Sequence, residues 1–165
     1  MVLKSNILNI KMLTLRYPVI ILMMFSNNIA SAQSNDSLPV QLSVEKFVAA
    51  FNTLQWQPFK NSFTEDATIF FPDWEDAPRK VGSKEIEKTW LEIFPEFKDS
   101  ANTFKLDIKP RDMLIQLYGQ TAVVTFHLGS GEKYLARRTL VMVKRKKEWK
   151  IAHLHASVLF PIDNK

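Results

Sequence analysis

Apolar residues recur at helical spacing early in the chain and at alternate positions late, so the sequence divides into two kinds of element. Val44, Phe47, Val48, Phe51 and Leu54 form one stripe behind Ser43, whose hydroxyl suits a helix start. Pro58 fits the first turn of a second, short helix carrying Phe59 and Phe63, and TEDATIFFP then reads as a turn feeding a strand that Pro72 stops. DWEDAPRKVG (Asp73 to Gly82) has the Pro, Gly and charge of an exposed loop. Ser83 opens a further helix with its stripe at Ile86, Trp90, Ile93, Phe94 and Phe97. From Phe104 the period becomes two: FKLDIKP, MLIQLYG, TAVVTFHL, KYLARRTLVMV and WKIAHLHASVLF read as strands. Gly119-Gln120, Gly129-Ser130-Gly131 and the stretch Lys144 to Glu148 supply the turns between them.

Helices first and antiparallel strands after predict an α+β fold, with the N-terminal helices packed on one face of a strongly curved sheet. That layout encloses a cavity between helices and sheet, where small ligands bind. The 165 residues amount to about one domain, and with 46% hydrophobic and 24% charged residues neither disorder nor a fibrous repeat is credible.

Residues 1–32 read as a cleaved signal peptide. Lys4, Lys11 and Arg16 precede a short apolar run, Tyr17 to Phe25, and Ala30-Ser31-Ala32 is the small-x-small pattern that places cleavage before Gln33. Residues 33–42, polar and holding Pro39, read as a flexible lead-in, and 43–160 as the folded domain. The expectation is an exported protein, periplasmic or secreted, with no membrane segment after cleavage. Export also changes the charge: the full chain carries +5, but removing the three basic side chains of residues 1–32 from the 22 leaves 19 against 17 acidic ones, about +2. A nucleic-acid partner loses its support, and Lys144 to Lys147 reads as a solvated turn. With no Cys, thiol chemistry is excluded.

The turns also predict which side chains share a face. With Ser130-Gly131 at one hairpin tip, His127 faces Tyr134, Thr125 faces Ala136 and Val123 faces Arg138. With Lys146-Lys147 at the next, Lys144 faces Trp149, Leu140 faces His153 and Arg138 faces His155. One face then carries Thr125, His127, Tyr134, Arg138, Trp149, His153, His155 and Ser157, and the other is apolar, from Val124 and Phe126 through Val141 and Val143 to Leu154 and Ala156. A one-residue slip at the second turn would put Arg137 in place of Arg138. The polar face suits either the lining of the cavity, which is the preferred reading, or a self-complementary dimer interface with the apolar face turned to the helices.

Three chemistries compete for these groups. His153 and His155 alternate on one strand, but zinc wants a third protein ligand and only His127 remains, so metal is the least favoured. Arg138 beside His155 suits a carboxylate ligand, the histidine serving as second donor or general base; the alternative is a structural Arg paired with Glu45 or Glu87. Trp90 and Phe94 fit a helix core or a ligand wall, and Asp73, Trp74, Glu75 and Asp76 an exposed loop or a flap over the cavity mouth. No phosphate loop, nucleophile elbow or other cofactor motif appears.

FNTLQWQPFKNSFTEDATIFFP, VGSKEI and above all RRTLVMVKRKKEWKIAHLHAS resemble the SnoaL-like branch of the nuclear transport factor 2-like superfamily, over Val44 to Leu159. The resemblance implies a cone-shaped α+β fold, and a superfamily that holds isomerases, dehydratases, cyclases, hydrolases and members with no chemistry. The carboxylate base and protonated Asp of steroid-isomerase relatives find no counterpart among the inner positions assigned above. The expected function is binding of a small, partly apolar ligand with an acidic or carbonyl group, without cofactor. Arg138, His155 and Tyr134 would fix its polar end with His153, His127 and Ser157 nearby, while Trp90, Phe94 and Trp149 contact its body; His155 would be the proton-transfer group and Arg138 the stabiliser of negative charge. The alternative is a non-catalytic homodimeric assembly module, which the similar ending of the calmodulin-dependent kinase II association domain suggests.

Overall fold

A computed structural model describes residues 29–72, 78–99, 101, 103–128 and 135–159, with side chains from residue 36 to 158 of these. The chain divides into two units, Met1–Asp36 and Ser37–Lys165. In the second, the helix α1 (Ile29–Asn52, which begins in the first unit) is followed by α2 (Trp56–Lys60), β1 (Phe63–Phe70), β2 (Lys80–Val81), α3 (Gly82–Ile93) and a 3₁₀ turn at Pro95–Lys98. Four strands complete it: β3 (Arg111–Tyr118), β4 (Thr121–Leu128), β5 (Leu135–Arg145) and β6 (Glu148–Leu159). They make one open six-stranded sheet in the order β2-β1-β6-β5-β4-β3. All pairs are antiparallel except β1 with β6, which is parallel and so departs from the all-antiparallel expectation. The α+β architecture is as expected, and no helix among the described residues is long and apolar enough to cross a membrane.

Two elements differ from the sequence reading. Residues 33–42 are helical rather than loose: Val40 is fully buried one turn before Val44, so the apolar stripe extends α1 upstream. Ser43 lies inside that helix, its hydroxyl donating to the Pro39 carbonyl at 3.0 Å. FKLDIKP is not a strand of the sheet. Asn52 at the end of α1 satisfies it instead: the Asn52 amide donates to the Ile108 carbonyl (2.9 Å) and accepts from the Ile108 N–H (2.8 Å), and the Asn52 carbonyl accepts from the Leu106 N–H (2.9 Å). One residue, through its side chain and its own carbonyl, replaces a strand edge as partner for that backbone.

The core lies between the helices and one face of the sheet. Val44, Phe47, Phe59, Ile86, Trp90 and Phe97 come from the helices, and meet Ala67, Val124, Phe126, Leu140, Ile151 and Leu154 from the strands. Phe59 is the hub, with ring centroids 4.9 to 5.4 Å from Trp90, Phe97, Phe47 and Phe51.

Candidate functional site

Every polar side chain singled out on β4 to β6 is positioned by the β4–β5 register and by one irregularity between β5 and β6. The β4–β5 register pairs Thr125 with Thr139, His127 with Arg137 and Val123 with Val141, three places from the expected pairing and therefore inverted. The β5–β6 register begins as expected, with Lys144 opposite Trp149, but Met142 pairs with Ile151 while Val141 pairs with His153. Ala152 is thus an extra residue, a β-bulge, and beyond it the strand presents its other side.

The two odd shifts cancel for β4 and β6. Thr125, His127, His153, His155 and Ser157 do share one face, and Val124, Phe126, Leu154, Ala156 and Val158 the other. β5, lying between, is inverted: Arg138 pairs with Phe126 and Ala156 on the apolar side, while Arg137, Thr139, Val141 and Val143 join the histidines. Trp149 precedes the bulge and is buried with Ile151 on the apolar side, not beside His153. Arg138 and His155 therefore lie on opposite faces and form no pair.

The histidine face is also not a cavity lining. The core residues occupy the other side, against the helices, which leaves the histidines on the sheet's outer face. There His153 Nδ1 and the Thr68 hydroxyl share a hydrogen bond of 2.7 Å. Phe70 sets its ring 5.8 Å from His153 and 5.7 Å from the exposed His155. Burial, then His155 and Arg79, hold the His153 pKa below the usual histidine value, which keeps the ring neutral at pH 7. His127 Nδ1 lies 3.5 Å from an Asp112 carboxylate oxygen at the other edge. No group of three or more His, Asp or Glu among the described residues gathers to hold a metal. Thr68 and Phe70 had no sequence signal, because a parallel pairing across more than eighty residues places them.

On the inner face Arg138 is half-buried, and Nη1 donates to the Arg137 carbonyl at 2.8 Å and the Ser157 carbonyl at 3.4 Å. Burial pushes its pKa down. Neither expected structural partner reaches it: Glu45 accepts from Gln41, and Glu87 takes the Lys60 ammonium and the Trp56 indole N–H. Among the described residues Arg138 makes no ion pair. Trp90 and half-buried Phe94 stack at 5.7 Å within the aromatic core, so their helical spacing reports packing first. Tyr134, the Ser130-Gly131 tip and the Asp73–Asp76 loop lie outside the described residues.

No curated protein matches the chain. Solved structures do. A nuclear transport factor 2-like protein of unknown function from Pseudomonas putida KT2440 is 13% identical with a TM-score of 0.63, covering 79% of this chain and 91% of its own. A ketosteroid isomerase-like protein from Erwinia carotovora atroseptica SCRI1043 is 17% identical with a TM-score of 0.58, covering 83% and 100%. A protein of unknown function with a cystatin-like fold from Nostoc punctiforme PCC 73102 is 13% identical with a TM-score of 0.58, covering 75% and 91%. At these identities the likeness is one of fold. The SnoaL-like domain family matches residues 40–162, most of the chain, and the protein belongs to that family, with the fold of the nuclear transport factor 2-like structures.

Proposed function

We propose that this is an exported domain that binds a small, partly apolar organic anion on the helix-facing side of its sheet, with Arg138 recognising the charge. The observation that carries this is the state of Arg138: a guanidinium among Phe126, Ala136 and Ala156, tied only to main-chain carbonyls, with no carboxylate among the described residues to neutralise it. A partly desolvated charge without a counter-ion is costly, and a bidentate carboxylate ligand would offset that cost. His155 opens on the opposite face and does not reach such a ligand. No described carboxylate base accompanies Arg138 either, so binding, rather than the isomerisation suggested by one structural neighbour's name, is the reading favoured.

Native mass spectrometry of the protein recovered from expressing cells tests both parts. The expected result is a mass lacking residues 1–32 and a co-purified organic acid. Arg138→Met should weaken that adduct ten- to a hundredfold, on the order of 1.5–3 kcal/mol for a hydrogen bond to a charged group. An adduct retained equally by the variant would end the Arg138 reading, and an uncut N-terminus the export reading.

The outer face supports a second reading, self-association through the sheet. Large apolar side chains stand open there, Phe70 at 36% exposure, Leu114 at 56% and Tyr118 at 61%, beside half-buried Val123, Val141 and Val143. Protonation of His153 would oppose this association. His153 binds its proton less readily in the folded chain than in the unfolded one, so the folding stability this shift contributes is complete above the ordinary histidine value near 6.5 and is lost as pH falls through its folded pKa. The same proton places a charge on the face that two copies would bury. A charged His153 would also feel His155 and Arg79. Sedimentation velocity should find a dimer at pH 7.5 that dissociates by pH 5.5; a monomer at both removes this reading.

A further inference from the structure

A groove of about 800 Å³ runs along the flank of the fold, between α2, the start of β1, α3 and the β5–β6 hairpin. Its apolar wall includes Trp56, Phe59, Ile86 and Trp90. Two indoles therefore border one groove, and their N–H groups differ. The Trp56 Nε1 donates to Glu87 at 3.2 Å, and the same carboxylate takes Lys60 at 2.6 Å through its other oxygen. The Trp90 Nε1 is buried and has no acceptor, alone in this among the side-chain nitrogen and oxygen atoms of the described residues, although Trp90 itself is only 8% exposed. A buried donor without a partner is an exception that asks for a cause, and an absent ligand is one.

We infer that the flank groove is a second binding site, taking a neutral, planar aromatic molecule whose carbonyl oxygen accepts the Trp90 indole N–H. The aromatic class follows from the wall, where half-buried Trp56, with the Lys60 ammonium 5.9 Å from its ring centre, borders the groove and Trp90 would present its N–H edge. Neutrality follows from the rim: Lys60, Arg145 and Lys150 line the groove against Glu65, Asp66 and Glu87, with Lys60 paired to Glu87 and Lys150 to Glu148, so neither sign stands in clear excess. The carbonyl follows from the N–H, a donor with no capacity to accept. Because that N–H is closed to solvent at rest, binding includes an outward movement of the rings that cover it. This ligand differs from the anion assigned to Arg138 in charge and in place, so either site stands without the other.

The test uses the full chain, ¹⁵N-labelled, titrated with 2-acetylnaphthalene and with 2-ethylnaphthalene, which has a similar shape but no acceptor. The indole cross-peak of Trp90, assigned through its contact with the Phe51 ring at 5.3 Å, should move downfield with the ketone and not with the hydrocarbon. Trp90→Phe should weaken the ketone about tenfold and the hydrocarbon less than twofold, since the ring remains and only the donor is lost. Arg138→Met should leave both affinities unchanged. A ketone that leaves the Trp90 signal in place, or binds the Trp90→Phe variant as tightly as the parent, overturns the inference. So does a ketone signal lost in Arg138→Met, which would place the ligand at the other site. The shift in the parent protein decides between these outcomes even if the variant does not fold.

Discussion

Deleting Ala152 is expected to leave both faces of β6 as they are and to remove only the bulge. The bulge is the point at which the parity of the residues turned to the helices changes, from Trp149 and Ile151 to Leu154 and Ala156. Without the extra residue, Ile151 opposite Met142 is followed directly by His153 opposite Val141, and the strand alternates regularly along its length. Trp149 and Ile151, buried at 7% and 0% exposure, stay on the helix side with Leu154 and Ala156, while His153, His155 and Ser157 stay outside. Heteronuclear NMR of the deletion variant should show a dispersed spectrum with changes concentrated on β1, β5 and β6; collapsed dispersion would mean that Ala152 is not the extra residue or that the sheet needs the twist the bulge gives it.

A large loss of stability is expected at Phe59. It is fully buried, on a short helix that would not hold together alone, and its ring joins α1, α2, α3 and β1 through Phe47, Phe51, Trp90 and Phe63. Phe59→Ala removes a ring that surrounding rigid rings cannot collapse to replace, and should cost about 3–5 kcal/mol in urea denaturation. Phe59→Leu should recover most of it, since volume is nearly kept. A loss under about 1 kcal/mol for the alanine variant would show that the aromatic cluster is loosely packed.

Much of the fold is legible in the residue pattern because burial of one face imposes a period. The stripes through Val44 and Phe47 and through Ile86 and Trp90 each correspond to an observed helix with its apolar side buried, and the alternation from Thr121 to Leu128 to a strand, although its apolar side, not the polar one, faces the helices. FKLDIKP shows the limit: it alternates like a strand, yet its hydrogen bonds go to Asn52, a partner fifty-six residues away from Ile108 that no local pattern announces. The bulge is a different kind of miss. Trp149 and Ile151 are apolar at odd positions while Leu154, Ala156 and Val158 are apolar at even ones, so the change of parity was present in the sequence and marks Ala152 as the extra residue.

The composition of the candidate site was likewise legible, and its arrangement was not. Three histidines, two adjacent arginines and the aromatic residues of α3 can be picked out by type alone. Whether Arg137 or Arg138 shares the face of His155 depends on the β5–β6 register, and an odd change in it exchanges them. By itself the sequence determined the α+β class, the helical stripes and the strand segments, because local geometry and the burial of apolar side chains act over a few residues. The tertiary structure decided that Arg138 faces the helices, that the histidines face outward and that Thr68 meets His153, because register, bulge and parallel pairing follow from packing between segments far apart in the chain.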